Sequence, residues 1–154
     1  IMCNPEVSDR NFAAAQEGAA AAGRNLKLGE GVGMSREVIV ADTDEEAEAL
    51  AREAGAFIWC NFFGPFGFNA ALAAPGEDPF NSFPNTFESM SERGLVIHGS
   101  PDTVNRKFEA LFKRLPCEYF WNFTYNQLLP QKAAMYSLKL LTEQVWPNHT
   151  DTVA

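Results

Sequence analysis

The hydrophobic and polar positions of the first 60 residues predict a strand end, a helix, a strand and a second helix. Ile1–Cys3 has the apolar character of the last residues of a buried strand, and the alanine-rich stretch 9–22 predicts a helix with Ser8 as its N-cap. The β-branched run 36–41 (REVIVA) is typical of a strand that is buried on both faces. A Thr-x-x-Glu capping box predicts that the second helix runs over about 43–60.

The second half of the chain repeats this alternation. Residues 95–98 form a brief strand-like run, and Ser100 followed by proline predicts a helix that reaches Leu115. The aromatic and β-branched residues 117–125 (CEYFWNFTY) predict a strand whose alternate aromatic side chains share one face, and we expect that face to lie in the core. Apolar residues at helical spacing predict a last helix over about 130–146. This order favours an α/β fold with parallel strands.

Residues 64–94 separate the two halves and carry four prolines without helical or strand periodicity. A structureless stretch of this length is uncommon inside a compact domain and usually acts as a lid or a binding loop. Phenylalanines are concentrated in and just before this segment, and they cannot all be exposed to solvent. We expect them to cover the mouth of a barrel, a planar ligand or a partner chain: Phe62, Phe63, Phe66, Phe68, Phe80, Phe83 and Phe87.

Three motifs that could carry chemistry have simpler structural explanations. The glycines of 29–33 precede a strand, whereas a dinucleotide-binding loop follows a strand and begins a helix, so we expect a flexible connection. His98 and Ser100 lack the Gly-x-Ser-x-Gly turn of a serine nucleophile, and we expect a partly buried histidine next to a helix cap. The acidic residues of 42–48 are expected to form a solvated helix N-terminus and no metal site.

Composition narrows the class of protein. The 154 residues are 46% hydrophobic and 12% aromatic, so the chain can bury the core of one ordinary domain and is not disordered. Lys and Arg number 12 against 20 Asp and Glu, which gives a net charge of −8. Since there is no basic cluster, we expect no binding to nucleic acid and none to an anionic membrane surface. No apolar run has transmembrane length.

The cysteines and the first residues indicate the context of the chain. Cys3, Cys60 and Cys117 are odd in number and far apart, which fits neither a disulfide framework nor a zinc site, so we expect reduced thiols in a cytoplasmic protein. With two histidines in the sequence, imidazole ligands for a metal are scarce and we expect no metal site. The chain begins at Ile1 with no leader and no initiator methionine, and we expect it to be a piece of a longer one.

Four stretches in order resemble the C-terminal part of the bacterial-luciferase-like flavin monooxygenases. They are 38–47 (VIVADTDEEA), 94–104 (GLVIHGSPDTV), the aromatic strand and 137–147 (SLKLLTEQVWP), and the resemblance covers the chain from Ile1 to about His149. The resemblance implies a (β/α)8 TIM barrel, of which a chain of 154 residues holds about three strands with their helices. Residues 1–154 are then a single-domain fragment, an incomplete barrel.

Within that barrel, the resemblance makes Ile1–Cys3 the end of the sixth strand, 36–41 the seventh strand and 118–125 the eighth. Residues 64–94 correspond to the insertion between the last two strands, which in the luciferases includes a mobile loop over the flavin and substrate. The earlier half of the barrel supplies the family's main flavin-phosphate contacts and its usual dimer surface. We therefore expect this chain to be inactive alone and a homo-oligomer when full length.

The resemblance implies a monooxygenase that uses reduced FMN, supplied by a flavin reductase, and O2 to oxidise a small organic substrate. Two alternatives stay open: hydride transfer with a deazaflavin in the same barrel family, and a non-catalytic α/β interaction module whose phenylalanine-rich loop binds a partner chain. The catalytic residues are not assigned. The residues that the resemblance points to for cofactor binding lie at a strand end, in the loop and at its end: Met2, Cys3, Asn4, Phe63, Phe66, Phe68 and Arg93.

Overall fold

The computed structural model of the chain describes residues 4–81, 83–123 and 128–152. The strand end expected at 1–3 and the last two residues of the predicted strand 117–125 lie outside these ranges. None of the described helices is both long and apolar enough to cross a membrane.

Helices and strands alternate along the described chain, as the sequence pattern predicts. The strands are β1 (Gly33–Val40), β2 (Val96–Gly99) and β3 (Tyr119–Asn122). The α-helices are α1 (Pro5–Ala21), α2 (Asp44–Ala54), α3 (Phe87–Glu92), α4 (Pro101–Arg114) and α5 (Gln131–Leu140). Shorter helical turns occupy Trp59–Phe63, Gly64–Phe66 and Phe68–Ala71 before α3, and Leu141–Val145 and Trp146–Asn148 after α5.

The three strands form an open, parallel sheet in the order β2-β1-β3. β1 is central because its eight residues are long enough to pair twice: Glu37–Val40 lies opposite β2, and Gly33–Arg36 lies opposite β3. The predicted strand 36–41 and the aromatic strand are therefore direct neighbours, as successive barrel strands would be. β2 comes between them in sequence but lies on the other side of β1, and the described strands do not close into a barrel.

Both faces of β1 are buried, which confirms the interpretation of its β-branched sequence. On one face Val38 packs in a cluster with Phe108 of α4 and with Val145. On the other face Ile39 packs in a second cluster with Ala51 of α2. The central strand thus lies between two hydrophobic cores, the arrangement that favours an uninterrupted apolar run.

α1 begins at Pro5, and its N-cap is Asn4, where the sequence analysis expected Ser8. The Asn4 side chain accepts a hydrogen bond of 2.9 Å from the backbone N–H of Glu6. Proline at the first helical position has no N–H that needs a partner, and asparagine is a strong N-cap. The Asn4-Pro5 pair therefore starts the helix earlier, and Ser8 is buried inside it.

The region after α2 differs from the prediction at two points. α2 stops at Ala54, before the expected end at Cys60, because the backbone becomes extended at Gly55 and then turns at Ala56, which has a left-handed φ of 60°. α3 lies inside the segment 64–94 that was expected to be irregular, and Thr86 caps it by accepting from the backbone N–H of Ser89. Its Thr-x-x-Ser spacing lacks the glutamate of a capping box, so the sequence carries only a weak signal for this helix.

The aromatic face of β3 is exposed, so the expectation that it lies in the core is wrong. Tyr119 is 51% exposed and Trp121 is 56% exposed, whereas Phe120 on the opposite face packs against Phe108 and Phe112. The periodicity of the strand correctly separates its two sides. Register against β1 decides which side faces the helices, and one strand's sequence does not contain that information.

Candidate functional site

An aromatic segment, defined as residues 59–72, projects several phenylalanine rings from the molecule. Phe62 contacts Phe63 and Phe66, with ring centroids 5.2 Å apart in each pair, and Phe63 lies at the same distance from Phe68. Phe62 is 54% exposed, Phe66 is 70% exposed and Phe68 is 52% exposed. Soluble proteins rarely leave contiguous apolar surface uncovered, so this surface is a candidate binding site.

The start of the aromatic segment is tied to the sheet and to the residues before α3. The buried carboxylate of Glu37, on β1, accepts a hydrogen bond of 3.0 Å from the backbone N–H of Ala56. The Asn85 side-chain amide donates to the carbonyl of Cys60 (2.8 Å). A Cβ at Gly64 would lie 2.6 Å from Nδ2 of Asn85 and 2.9 Å from the Trp59 carbonyl oxygen, so glycine permits this close packing.

The other end of the segment brings together the site residues predicted from the sequence. The backbone N–H of Asn4 donates to the carbonyl of Ala71 (3.1 Å), and the next carbonyl, that of Leu72, accepts from Nη1 of Arg93 (3.2 Å). Asn4 and Arg93 thus both contact the C-terminal end of the segment that carries Phe63, Phe66 and Phe68. Met2 and Cys3 lie outside the described residues. The contact of any of these residues with a cofactor stays a prediction.

Arg93 is engaged with partners in the chain. Its Nη2 donates to Glu77 (2.7 Å), its Nε donates to Oγ of Ser89 (2.9 Å), and its guanidinium carbon lies 4.8 Å from the centre of the Phe83 ring. The second oxygen of the Glu77 carboxylate accepts from the backbone N–H of Ala74 (2.9 Å). The Ala74 N–H and then Arg93 hold the pKa of Glu77 below its usual value.

Several buried polar atoms of this region have no hydrogen-bond partner among the described residues: Nε1 of Trp59, Oδ1 of Asn69 and Oδ1 of Asn85. These groups could not be found from the sequence, because an asparagine or tryptophan in an irregular stretch carries no signal of burial. Cys60 lies in the same region, and burial raises the pKa of its thiol to about 11. The thiol is therefore neutral near pH 7 and is a poor nucleophile.

A second polar group lies where β1 and β2 end. The carboxylate of Asp44 accepts from the backbone N–H and the hydroxyl of Ser100 (2.6 and 2.8 Å) and from the hydroxyl of Thr103 (2.8 Å). These bonds, led by the Ser100 N–H, lower the pKa of Asp44 to about 2. Ser100 is the N-cap of α4, as predicted, and Asp44 connects it to the first turn of α2. This group joins two helix N-termini, and in it the Ser100 hydroxyl donates to Asp44 and accepts from the backbone N–H of Thr103.

His98 lies half-buried in β2, as the sequence analysis expected. Its Nε2 is 3.0 Å from Oγ of Ser91, and its ring packs against Phe87 at 5.5 Å. Burial is the main cause that lowers the pKa of His98. Within residues 4–81, 83–123 and 128–152, no three His, Cys, Asp or Glu side chains are grouped so as to hold a metal ion.

Neither a protein-family model nor a curated protein sequence matches this chain. The chain is similar in structure to the oxygenating constituent of 3,6-diketocamphane monooxygenase, a type II Baeyer-Villiger monooxygenase from the CAM plasmid of Pseudomonas putida that was solved in complex with FMN. The TM-score is 0.69 and the sequence identity is 26%. The match covers 92% of this chain and 39% of that chain, so this chain spans well under half of the length of the enzyme that it resembles.

Proposed function

We propose that this chain is the C-terminal part of a luciferase-like, FMN-dependent monooxygenase that uses reduced flavin and O2 to oxidise a small organic substrate. The observation that carries the proposal is the similarity to an FMN-binding monooxygenase over 92% of the chain, at a TM-score of 0.69. Independent support comes from the sequence motifs at 38–47, 94–104 and 137–147, which resemble the same kind of enzyme in the same order.

The exposed rings fit the planar part of a flavin. Phe62, Phe66 and Phe68 lie together at one surface and are each more than half exposed. Offset stacking and edge contacts with an isoalloxazine ring would bury this apolar area, and aromatic contacts add stability beyond the area that they bury. Phe63, half-buried beneath them, contacts both Phe62 and Phe68 and supports the surface.

The same segment does not fit the phosphate of FMN. No lysine or arginine occurs between Arg52 and Arg93, whereas the same stretch has five acidic residues: Glu53, Glu77, Asp78, Glu88 and Glu92. Arg93 itself is paired with Glu77. A phosphate needs a cation or free N–H donors, so we propose that it is held by residues beyond this segment, in the rest of a larger barrel.

When bound, reduced flavin supplies the electrons for oxygen chemistry, and the chain supplies binding and a dry surface. Phe66 and Phe68 would exclude water from one side of the ring, which favours reactions that water would otherwise intercept. Asn4 lies at the start of α1 and, with Met2 and Cys3, is proposed to line the mouth of the site. In this proposal the substrate enters through that mouth. A separate reductase supplies the reduced flavin.

An FMN titration followed by flavin fluorescence tests this function. We expect the 154-residue chain alone to bind FMN weakly or not at all, and a chain extended at its N-terminus to a complete barrel to bind it. In the extended chain, Phe66→Ala with Phe68→Ala should weaken binding by about tenfold or more, since each ring contributes about 1 kcal/mol of contact. Met135→Ala, which removes an exposed apolar side chain of α5, is the matched control and should leave binding unchanged.

Absence of FMN binding by both chains would refute the flavin proposal. Binding of a partner polypeptide through the same phenylalanines would then favour the interaction module. If the extended chain copurifies with a cofactor that has the absorbance of a deazaflavin, hydride transfer replaces oxygenation as the reaction.

A further inference from the structure

The guanidinium of Arg93 has all three of its nitrogens bonded within the chain. Nε donates to Ser89 on α3, Nη1 donates to the carbonyl of Leu72, and Nη2 donates to Glu77, at 2.9, 3.2 and 2.7 Å. The face of the guanidinium lies over the Phe83 ring. The Arg93 side chain is 16% exposed and that of Glu77 is 21% exposed, so this ion pair is largely shielded from water.

Both oxygens of the Glu77 carboxylate accept hydrogen bonds, and one of the two donors is Arg93. One carboxylate oxygen accepts from Arg93 and the other accepts from the backbone N–H of Ala74, so the carboxylate bridges the arginine and the chain just after the aromatic segment. Arg93 in turn bonds the carbonyl of Leu72, the last residue of that segment. We call the Arg93–Glu77 pair, with its bonds to Leu72 and Ala74, the Arg93 clamp.

The Arg93 clamp fixes a segment whose other attachments are also defined. Leu72 is fully buried, and Ala71 is bonded to Asn4. Three residues before the segment begins, Ala56 is bonded to the buried Glu37. The exposed rings therefore project from a backbone that is held at both ends by polar groups in the rest of the fold.

The geometry points to Arg93 as a positioning residue for the proposed flavin site, acting through the backbone at Leu72 to hold the phenylalanine rings in place. This role differs from direct contact with an anionic flavin or phosphate, because the guanidinium is already committed to four partners. It also makes the aromatic segment a fixed platform. The link to flavin rests on the proposed function, whereas the clamp itself can be tested without flavin.

Hydrogen exchange followed by mass spectrometry on the 154-residue chain, in the absence of FMN, tests the clamp. We expect Arg93→Gln and Glu77→Gln to speed exchange of the amides in 67–73 by about tenfold, the change that the loss of one charge-assisted hydrogen bond gives. Exchange in α4 should not change. Gly67 and Leu72 are useful reporters because their amides donate within the segment, to Gly64 and Asn69.

The matched control is Arg52→Gln. Arg52 is also paired with a carboxylate, that of Glu88, and also lies over a ring, that of Phe87. The Arg52–Glu88 pair is more than half exposed, and neither partner is bonded to residues 67–73 in the way that Arg93 is bonded to Leu72. This variant should leave exchange in 67–73 unchanged. Wild-type exchange in that range for both Glu77→Gln and Arg93→Gln would overturn the clamp.

FMN binding to an N-terminally extended chain separates positioning from direct contact. Glu77→Gln keeps the positive charge of Arg93 and frees it from its partner, so direct contact predicts equal or tighter binding, whereas positioning predicts binding weakened by severalfold. Arg93→Lys keeps the positive charge but loses the planar guanidinium with its several N–H donors. Positioning therefore predicts that this variant restores the wild-type exchange rates and FMN affinity only in part. Tighter binding by Glu77→Gln, or full rescue by lysine, would overturn the inference.

The two proposals fail in different ways. If the wild-type extended chain binds no FMN, the proposed function fails, and the exchange experiment still decides whether Arg93 fixes the segment. If FMN binds but the clamp variants exchange and bind as the wild type does, the positioning role fails and the proposed function stands.

Discussion

Asp44 accepts two hydrogen bonds from one residue, Ser100: its Oδ1 receives the backbone N–H at 2.6 Å and the hydroxyl at 2.8 Å. The carboxylate lies in the first turn of α2 and Ser100 caps α4, so the contact joins the two helices that follow neighbouring strands. Two helix N-termini share one negative charge, which complements the dipoles of both.

The charge of Asp44 should therefore contribute to stability in a defined pH range. Its pKa is lowered to about 2 from a usual value of 3.8, so the folded state binds the proton less tightly than the unfolded chain. The contribution is present above about pH 4 and is lost as the pH falls towards 2. Thermal unfolding should show Asp44→Asn lowering Tm at pH 7 by a few degrees, with the difference from the wild type shrinking below pH 3.

Glu45→Gln is the control, because it removes a charge from the same turn of α2 at an exposed residue. It should change Tm less than Asp44→Asn does. Equal effects of the two variants would mean that the general helix dipole, and not the bonds to Ser100, accounts for the stabilisation.

Phe108→Ala should destabilise the chain strongly. The ring is fully buried and has edge contacts with Phe112, Phe120 and His149, with centroids 5.2 to 5.5 Å away. Removing it leaves a cavity, and such changes cost about 3–5 kcal/mol of unfolding free energy. Urea unfolding measures the loss. Phe66→Ala, at a ring that is 70% exposed, should change the unfolding free energy by about 0.5 kcal/mol at most; a comparable loss there would contradict this account of the core.

The glycines before β1 should tolerate substitution unequally. Gly29 and Gly31 have left-handed φ values of 84° and 72°. A Cβ at Gly29 would overlap the backbone carbonyl of Pro116, whereas a Cβ at Gly31 would meet nothing within 4 Å. Gly31→Ala should therefore cost only the backbone strain, about 1–2 kcal/mol, and Gly29→Ala should cost more. Equal losses in unfolding free energy would show that the close approach to Pro116 contributes nothing.

Cys60 and Cys117 should react slowly with alkylating reagents in the native state. Burial raises the pKa of each thiol to about 11, so the thiolate is scarce at pH 8. The native chain and the urea-unfolded chain are treated with iodoacetamide for the same times and compared by peptide mass spectrometry. Both cysteines should be largely unmodified in the native chain at the time when they are fully labelled in the unfolded chain. The native rate should rise with pH up to about 11. Fast labelling of either thiol at pH 7 would contradict its raised pKa.

The sequence determines those structural features that depend on residues only a few positions apart in the chain. The Thr43 and Ser100 caps, the start of α4 at Pro101 and the doubly buried strand 36–41 all follow from short patterns, and the structure confirms them. An N-cap needs only its own helix, and a run of β-branched residues is apolar on both sides whatever packs against it. The resemblance to flavin monooxygenases also came from local motifs, and structural similarity supports it.

Tertiary structure alone decided the rest, because the partners lie far apart in the chain. Whether Tyr119 and Trp121 face the core depends on the register between β3 and β1, and a strand's own periodicity is the same for either choice. The surroundings of Arg93 depend on Leu72 and Glu77, which irregular backbone brings to it from well before α3. The local sequence permits many backbone arrangements, and long-range contacts of this kind select one of them. The partners of Arg93 therefore follow from the fold and not from the residues next to it in the sequence.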